Sequence, residues 1–250
     1  MDKNKVLGIA APLISVAAIF GIWAAAAAAT DNQYILPTIG QTFGEFFGLF
    51  GHAEFYGAVL NTILRSLIAF VISFLLAFIF ALAAEKSDFA AKLIAPVIAI
   101  IRALPTVAVV LLLLVWTNSR VAPVLVTMLV VLPTIFTNIK NALGAIDGDL
   151  VEMCRVYAVP KREVFFKVKV PAVLPQLLRS AGSGLSLNVK LMVAAEVLAQ
   201  TGRSLGYLLN TSKVYLETAT MIALVLVSVA LGLIAEGVFG LLARSAERRR

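Results

Sequence analysis

Asp149-Leu-Val-Glu-Met-Cys-Arg-Val-Tyr-Ala-Val-Pro-Lys-Arg-Glu-Val-Phe-Phe-Lys-Val-Lys-Val-Pro171 is the longest strongly charged stretch in a chain that is otherwise almost wholly hydrophobic. Its spacing predicts two short helices broken near Pro160. In the first, Leu150, Met153 and Tyr157 share one face at helical spacing, with Glu152 and Arg155 beside it. In the second, Val164, Phe165 and Val168 form an apolar face surrounded by Lys161, Arg162, Lys167 and Lys169. An amphipathic hairpin between membrane spans has two uses: lying on the lipid surface, or inserting into a soluble partner. Periodicity alone leaves both open.

The surroundings of this stretch place it beside a membrane. The 250 residues are 61% hydrophobic and 14% charged, with a mean hydropathy of +0.97. An average soluble domain carries about 25% charged residues, so this is a polytopic membrane protein. A single cysteine, Cys154, and a single histidine, His52, form neither an internal disulfide nor a Cys/His metal cluster. The net charge of +7 would point to nucleic acid in a soluble chain. Here it marks the cytoplasmic membrane face, and no nucleic-acid partner is expected.

Hydropathy divides the chain into six spans, at about residues 6–29, 58–84, 89–116, 122–142, 172–198 and 216–242, forming one transmembrane domain over 1–250. A signal peptide is the competing reading of the first span, because the alanines at 24–29 resemble a cleavage region. The apolar run is about twice a normal signal core, so a retained helix is expected. Leu36-Pro37 opens an amphipathic helix through Phe50, with Phe43, Phe46 and Phe47 on it. Arg65, near the start of the second span, reads as a snorkelling or buried structural arginine. Pro96 and Pro105 are expected to bend the third span, and Pro133 lies in the fourth. Gly182, Ser183, Gly184 and Ser186 give the fifth a small-residue face, for helix packing or a dimer seam.

The basic residues set the orientation. Among 21 Lys and Arg, only Arg65, Arg120, Arg203 and Lys213 fall on the outer side when the N-terminus is placed inside, and Arg102 and Lys190 lie within spans. Both termini, with the arginines at 244 and 248–250, and the charged hairpin at 149–171 then face the cytoplasm.

No phosphate loop, His-Glu-x-x-His or Gly-x-Ser-x-Gly pattern is present, so no catalytic or metal-binding residue is assigned. ATP, if it drives transport, must be bound by another chain. The intramembrane charges are the sharpest remaining feature. A basic residue at a helix centre costs about 3 kcal/mol on insertion scales, so it faces a cavity or a partner. Arg102 and Asn188 fall near mid-depth, Lys190 slightly further out, and Glu196 near the outer boundary. Lys190 and Glu196 are about 240° apart around the helix and cannot pair with each other. Two readings stand: these groups are neutralised within the bundle, or Arg102, Asn188 and Lys190 line a polar route favouring an anion.

The spacing inside the hairpin resembles the cytoplasmic loop of permeases from binding-protein-dependent ABC importers. That pattern is Glu-Ala-Ala, three residues, Gly, nine residues, Ile, one residue, Leu-Pro. Glu152 matches the Glu, Ala158 stands at the Gly, Val168 at the Ile, and Val170-Pro171 at the Leu-Pro; Met153-Cys154 replaces Ala-Ala. Leu36-Pro37 and Ser204-Leu205-Gly206-Tyr207 are similar to further family segments, the latter to Gly-Leu-Gly-Tyr. Arg102 also has a family counterpart, although Ala103 stands where the family usually has proline.

The resemblance implies an all-α fold like that of type I importer permeases, about six transmembrane helices with a cytoplasmic two-helix coupling hairpin. The nitrate/sulfonate/taurine-type subfamily is the most similar. It further implies a homodimer in a bacterial inner membrane, cytoplasmic ABC ATPase subunits holding ATP and Mg, and an extracytoplasmic substrate-binding protein. This chain would itself hold no cofactor. ATPase coupling is expected at Glu152, Tyr157, Ala158, Val164, Phe165 and Pro171, and the translocation path at Arg102, Asn188 and Lys190. The expected solute is small and anionic or polar, moved by alternating access. A neutral vitamin precursor such as a pyrimidine is the alternative solute, and a passive channel the alternative mechanism.

Overall fold

The computed structural model describes residues 3–248, so Arg249 and Arg250 of the basic tail lie outside the described residues. Apolar runs this long have no water to satisfy their backbone, so they close their hydrogen bonds internally as helices. Among the described residues eleven α-helices follow in order: α1 (Lys3–Thr30), α2 (Ile39–Gly48), α3 (Ala53–Lys86), α4 (Asp88–Ala103), α5 (Thr106–Trp116), α6 (Ala122–Gly144), α7 (Gly148–Val156), the single turn α8 (Lys161–Glu163), α9 (Val170–Ala199), α10 (Leu205–Val214) and α11 (Thr218–Glu247). Among the described residues there is no strand.

Among the described residues, four continuous helices are long and apolar enough to cross a bilayer: Ala53–Lys86, Ala122–Gly144, Val164–Ala199 and Thr218–Glu247. The expected third span, 89–116, is not one helix. It is α4 followed by α5, bent by 95°. The cause is Pro105, which caps α5 and holds Leu104 extended at φ −68°, ψ 128°. Pro96, by contrast, sits inside α4 without ending it.

The core is centred on α9, which packs on α11, α6 and α3. Ile135, Ile139, Val131 and Leu132 of α6 meet Phe70 and Ala77 of α3 and Ala181 and Leu185 of α9. Gly182, Gly184 and Ser186 of α9 serve this packing within the protomer, while Ser183 is exposed. A Cβ on Gly182 would stand 2.8 Å from Phe239 Cβ of α11, so any larger residue would push those two helices apart. Gly184 is likewise buried, against Phe70 and Ile135.

At the end away from the hairpin, α2 takes the expected amphipathic form. Thr38 and Gln41 make a reciprocal capping box at its start, and Trp23 of α1 donates to the Pro37 carbonyl at 3.1 Å. Phe46 and Phe50 then carry an edge-to-face chain onto Phe55 of α3.

Candidate coupling hairpin and translocation helix

The hairpin begins as predicted. Asp147 caps α7 through the Asp149 N–H at 3.0 Å. Its end explains the family glycine. Val159 N–H donates to Cys154 O at 2.9 Å and Ala158 N–H to Arg155 O at 3.0 Å, which is a Schellman closure. That closure needs a left-handed residue, and Ala158 fills it at φ 52°. A left-handed L-residue costs roughly 1–2 kcal/mol that glycine avoids.

Beyond Pro160 the second half departs from the expected short helix. The turn Lys161–Glu163 runs into a π-helical stretch, Val164–Lys169, and on into α9 without a break. Val170 N–H reaches back five residues to Phe165 O. The widening lies directly before Pro171, whose ring would otherwise press on the carbonyl four residues back. The second arm of the hairpin and the fifth span are therefore one rod.

The exposed apolar surface of the hairpin comprises Val156 and Tyr157, exposed by 77% and 76%, with Met153 and Phe166. Glu152, Ala158 and Pro171 are exposed as well. Val164 and Phe165 are half-buried. Phe165, one of the residues expected at the coupling site, turns toward the bundle, and Phe166 stands edge-on to it, 59% exposed. Val164, Phe165 and Val168 do share one face, as the spacing predicts, and it is the half-buried face.

At the other end of α9, Glu196 is fully buried and fully engaged. Arg65 Nη1 donates to its Oε1 at 2.8 Å, Thr62 Oγ1 to Oε2 at 2.8 Å, and Gly206 N–H to Oε2 at 3.4 Å. Thr62 Oγ1 in turn accepts from Leu205 N–H at 3.0 Å. The start of α10 thereby rests against the end of α9, where a Cβ on Gly206 would come within 2.6 Å of Val197 N. This is the physical reason for a glycine in Ser204-Leu205-Gly206-Tyr207. Arg65 is the structural arginine expected. Its partner was not foreseen, although two lone opposite charges at the same membrane depth were the available clue.

The three residues expected to share a polar path are not brought together. Arg102, on the last turn of α4, donates to Pro133 O at 3.0 Å and to Thr137 Oγ1, tying the broken span to α6. Asn188 is fully buried, and neither side-chain polar atom has a hydrogen-bond partner among the described residues. Lys190 is exposed. Two residues apart on a helix means about 200° of rotation, so Asn188 and Lys190 face opposite ways. Lys190 belongs instead to a stripe of exposed side chains on α9: Gln176, Arg179, Ser183, Lys190 and Ala194. Arg179 pairs with Glu247. Among the described residues no three His, Cys, Asp or Glu gather as metal ligands.

Residues 73–248 match the family described as the binding-protein-dependent transport system inner membrane component, and the chain belongs to that family. Among its relatives, Escherichia coli SsuC, whose assigned name is that of an aliphatic sulfonates transport permease, is 28% identical over 56% of this chain and 53% of its own length. The riboflavin transport system permease protein RibX of Chloroflexus aurantiacus is 32% identical over 50% of this chain and 47% of its own length. The chain thus spans about half the length of the curated relatives it matches. The inward-facing MetNI methionine ABC transporter superposes with a TM-score of 0.64 at 17% identity, covering 76% of this chain and 94% of that one. An amino acid ABC transporter gives 0.60 at 18%, covering 79% and 94%. The fold is that of an ABC importer permease.

Proposed function

We propose that this chain is the permease subunit of an ATP-driven importer, acting as a homodimer with separate cytoplasmic ATPase subunits and an external solute-binding protein. The observation that supports the reading is the exposed stripe on α9. Lipid tails cannot satisfy Gln176 and Lys190, so a transmembrane helix presenting them faces water or another protein. Two copies placing their stripes face to face enclose a polar path. ATP and Mg²⁺ are bound by the ATPase, which grips the exposed apolar face of the hairpin, Met153, Val156, Tyr157 and Phe166. Because the second arm is continuous with α9, a tilt of the hairpin moves the stripe as a rigid lever between inward- and outward-open states.

The solute we propose is small and anionic, of the sulfonate kind. One intramembrane lysine offsets part of an anion's cost of leaving water. A second reading, a neutral vitamin-like solute, is favoured by the 32% identity to a riboflavin permease. Lys190→Met keeps the stem and removes the charge. In vesicles holding the assembled importer, anion transport is expected to fall at least tenfold while basal ATP hydrolysis persists, and Lys190→Arg retains part of the rate. Transport at the wild-type rate in Lys190→Met refutes the anion path. Orientation is checked separately in a background lacking Cys154. Lys213→Cys reacts with an impermeant thiol reagent in intact cells and Arg162→Cys does not; the opposite pattern refutes the cytoplasmic hairpin.

A further inference from the structure

A groove of about 440 Å³ lies between α3, α9 and α11, and its walls are wholly apolar apart from the stem of Lys169. Phe70, Phe74, Phe78 and Leu82 stand one turn apart on α3 and form one side; Leu177 and Phe239 face them. Four residues at this spacing make a slot about 18 Å long, running along α3. A polar solute gains nothing from such walls.

The groove opens at its hairpin end into a second hollow of about 1320 Å³ beneath the hairpin. The two share Leu82, Phe165 and Lys169. The hollow is basic: Lys86, Arg155, Arg162 and Lys169 line it against only Glu85 and Glu152. Lys169 is paired with Glu85; Lys86, Arg155 and Arg162 have no ion pair among the described residues. Moving from the hairpin along α3, cations thus give way to a hydrocarbon slot.

We propose that this composite pocket is a binding site for one anionic phospholipid, its phosphate among Lys86, Arg162 and Lys169 and one acyl chain along the α3 phenylalanines. Basic pockets on the cytoplasmic side of membrane helices recognise anionic headgroups in this way. The lipid fills the space between α3 and the root of the hairpin, bridging the lever to the scaffold beside Phe165. Its binding needs neither the ATPase nor the solute.

The test uses the full chain in bilayers of phosphatidylethanolamine and phosphatidylglycerol, followed by native mass spectrometry. Wild-type protein is expected to retain one phosphatidylglycerol per chain. Lys86→Gln with Lys169→Gln should lower that retention at least fivefold while the zwitterionic lipid is unaffected. A Phe74→Trp reporter, corrected for the native tryptophans, should be quenched at least twofold more by phosphatidylglycerol brominated on its acyl chains than by the matching phosphatidylcholine. Equal retention in the double variant overturns the proposal, as does equal quenching by the two lipids. So does a disulfide from Leu178→Cys to a second copy, which would show a protein neighbour filling the groove. None of these readouts depends on transport, so their failure leaves the importer reading intact.

Discussion

The two ends of α9 handle polar groups in opposite ways. At the far end the chain buries Glu196 completely and then meets it with Arg65, Thr62 and Gly206. At the hairpin end it buries little. Tyr157 and Phe166 stand in the open, a left-handed site is filled by alanine, and the helix widens into a π-turn. One end is closed upon itself; the other is left for something else to complete. A membrane protein gains little from burying apolar side chains, because lipid is as apolar as they are, so buried polar contacts and close helix packing must fix its geometry. The exposed aromatics beyond the membrane are a different matter. They touch water in the isolated chain, and a partner that covers them recovers the full hydrophobic gain.

The contrast is broken most directly at Glu196. Glu196→Ala leaves Arg65 without its carboxylate, and removing one partner of a buried pair costs about 3–5 kcal/mol. The yield of folded protein in mild detergent should collapse, and Arg65→Met in the same chain should recover much of it. If Glu196→Ala melts with the wild type, the far end is not the lock described here.

At the hairpin end the expected loss is in assembly. Phe166→Asp should leave insertion and melting unchanged yet weaken ATPase association by about 2 kcal/mol, the usual cost of losing an interface anchor. Pull-down of the ATPase at graded concentrations measures this. Unaltered association would return the hairpin to the reading in which it merely lies on lipid.

The smallest effect sharpens the comparison. Ala158→Gly relieves the left-handed alanine but loosens the unfolded chain, for a net stabilisation of about 1 kcal/mol or less. Slower hydrogen exchange at Val159, whose N–H closes the motif, would register it. Faster exchange would mean that the alanine carries no strain.

Much of this architecture was legible before any coordinates. Hydropathy marked the chain as a bundle of membrane helices, and the charge-rich stretch at 149–171 stood out because nothing else in the chain resembles it. Leu36-Pro37 announced the amphipathic helix, whereas the close approach at Gly206 came only from the packing of α10 on α9. The candidate site was legible only in outline. Asn188 and Lys190 were placed together because both are polar at similar depth, whereas a two-residue step on a helix sends them to opposite faces. Val164, Phe165 and Val168 share a face as periodicity assumes, but that this face turns toward the bundle, leaving Phe166 exposed, is decided by packing.

Sequence alone determined what depends on composition and local spacing: a helical membrane protein and an amphipathic hairpin between two of its apolar segments. Those properties follow from each segment's own exchange between water and lipid, which neighbours hardly alter. The tertiary structure alone decided the pairing of Arg65 with Glu196 across 131 residues, the 95° break at Pro105 and the fusion of the hairpin arm to α9. Each depends on which helices lie side by side. A proline can be absorbed, as at Pro96, or can end a helix, as at Pro105, and a buried charge can be met only by whatever side chain the packing brings to it.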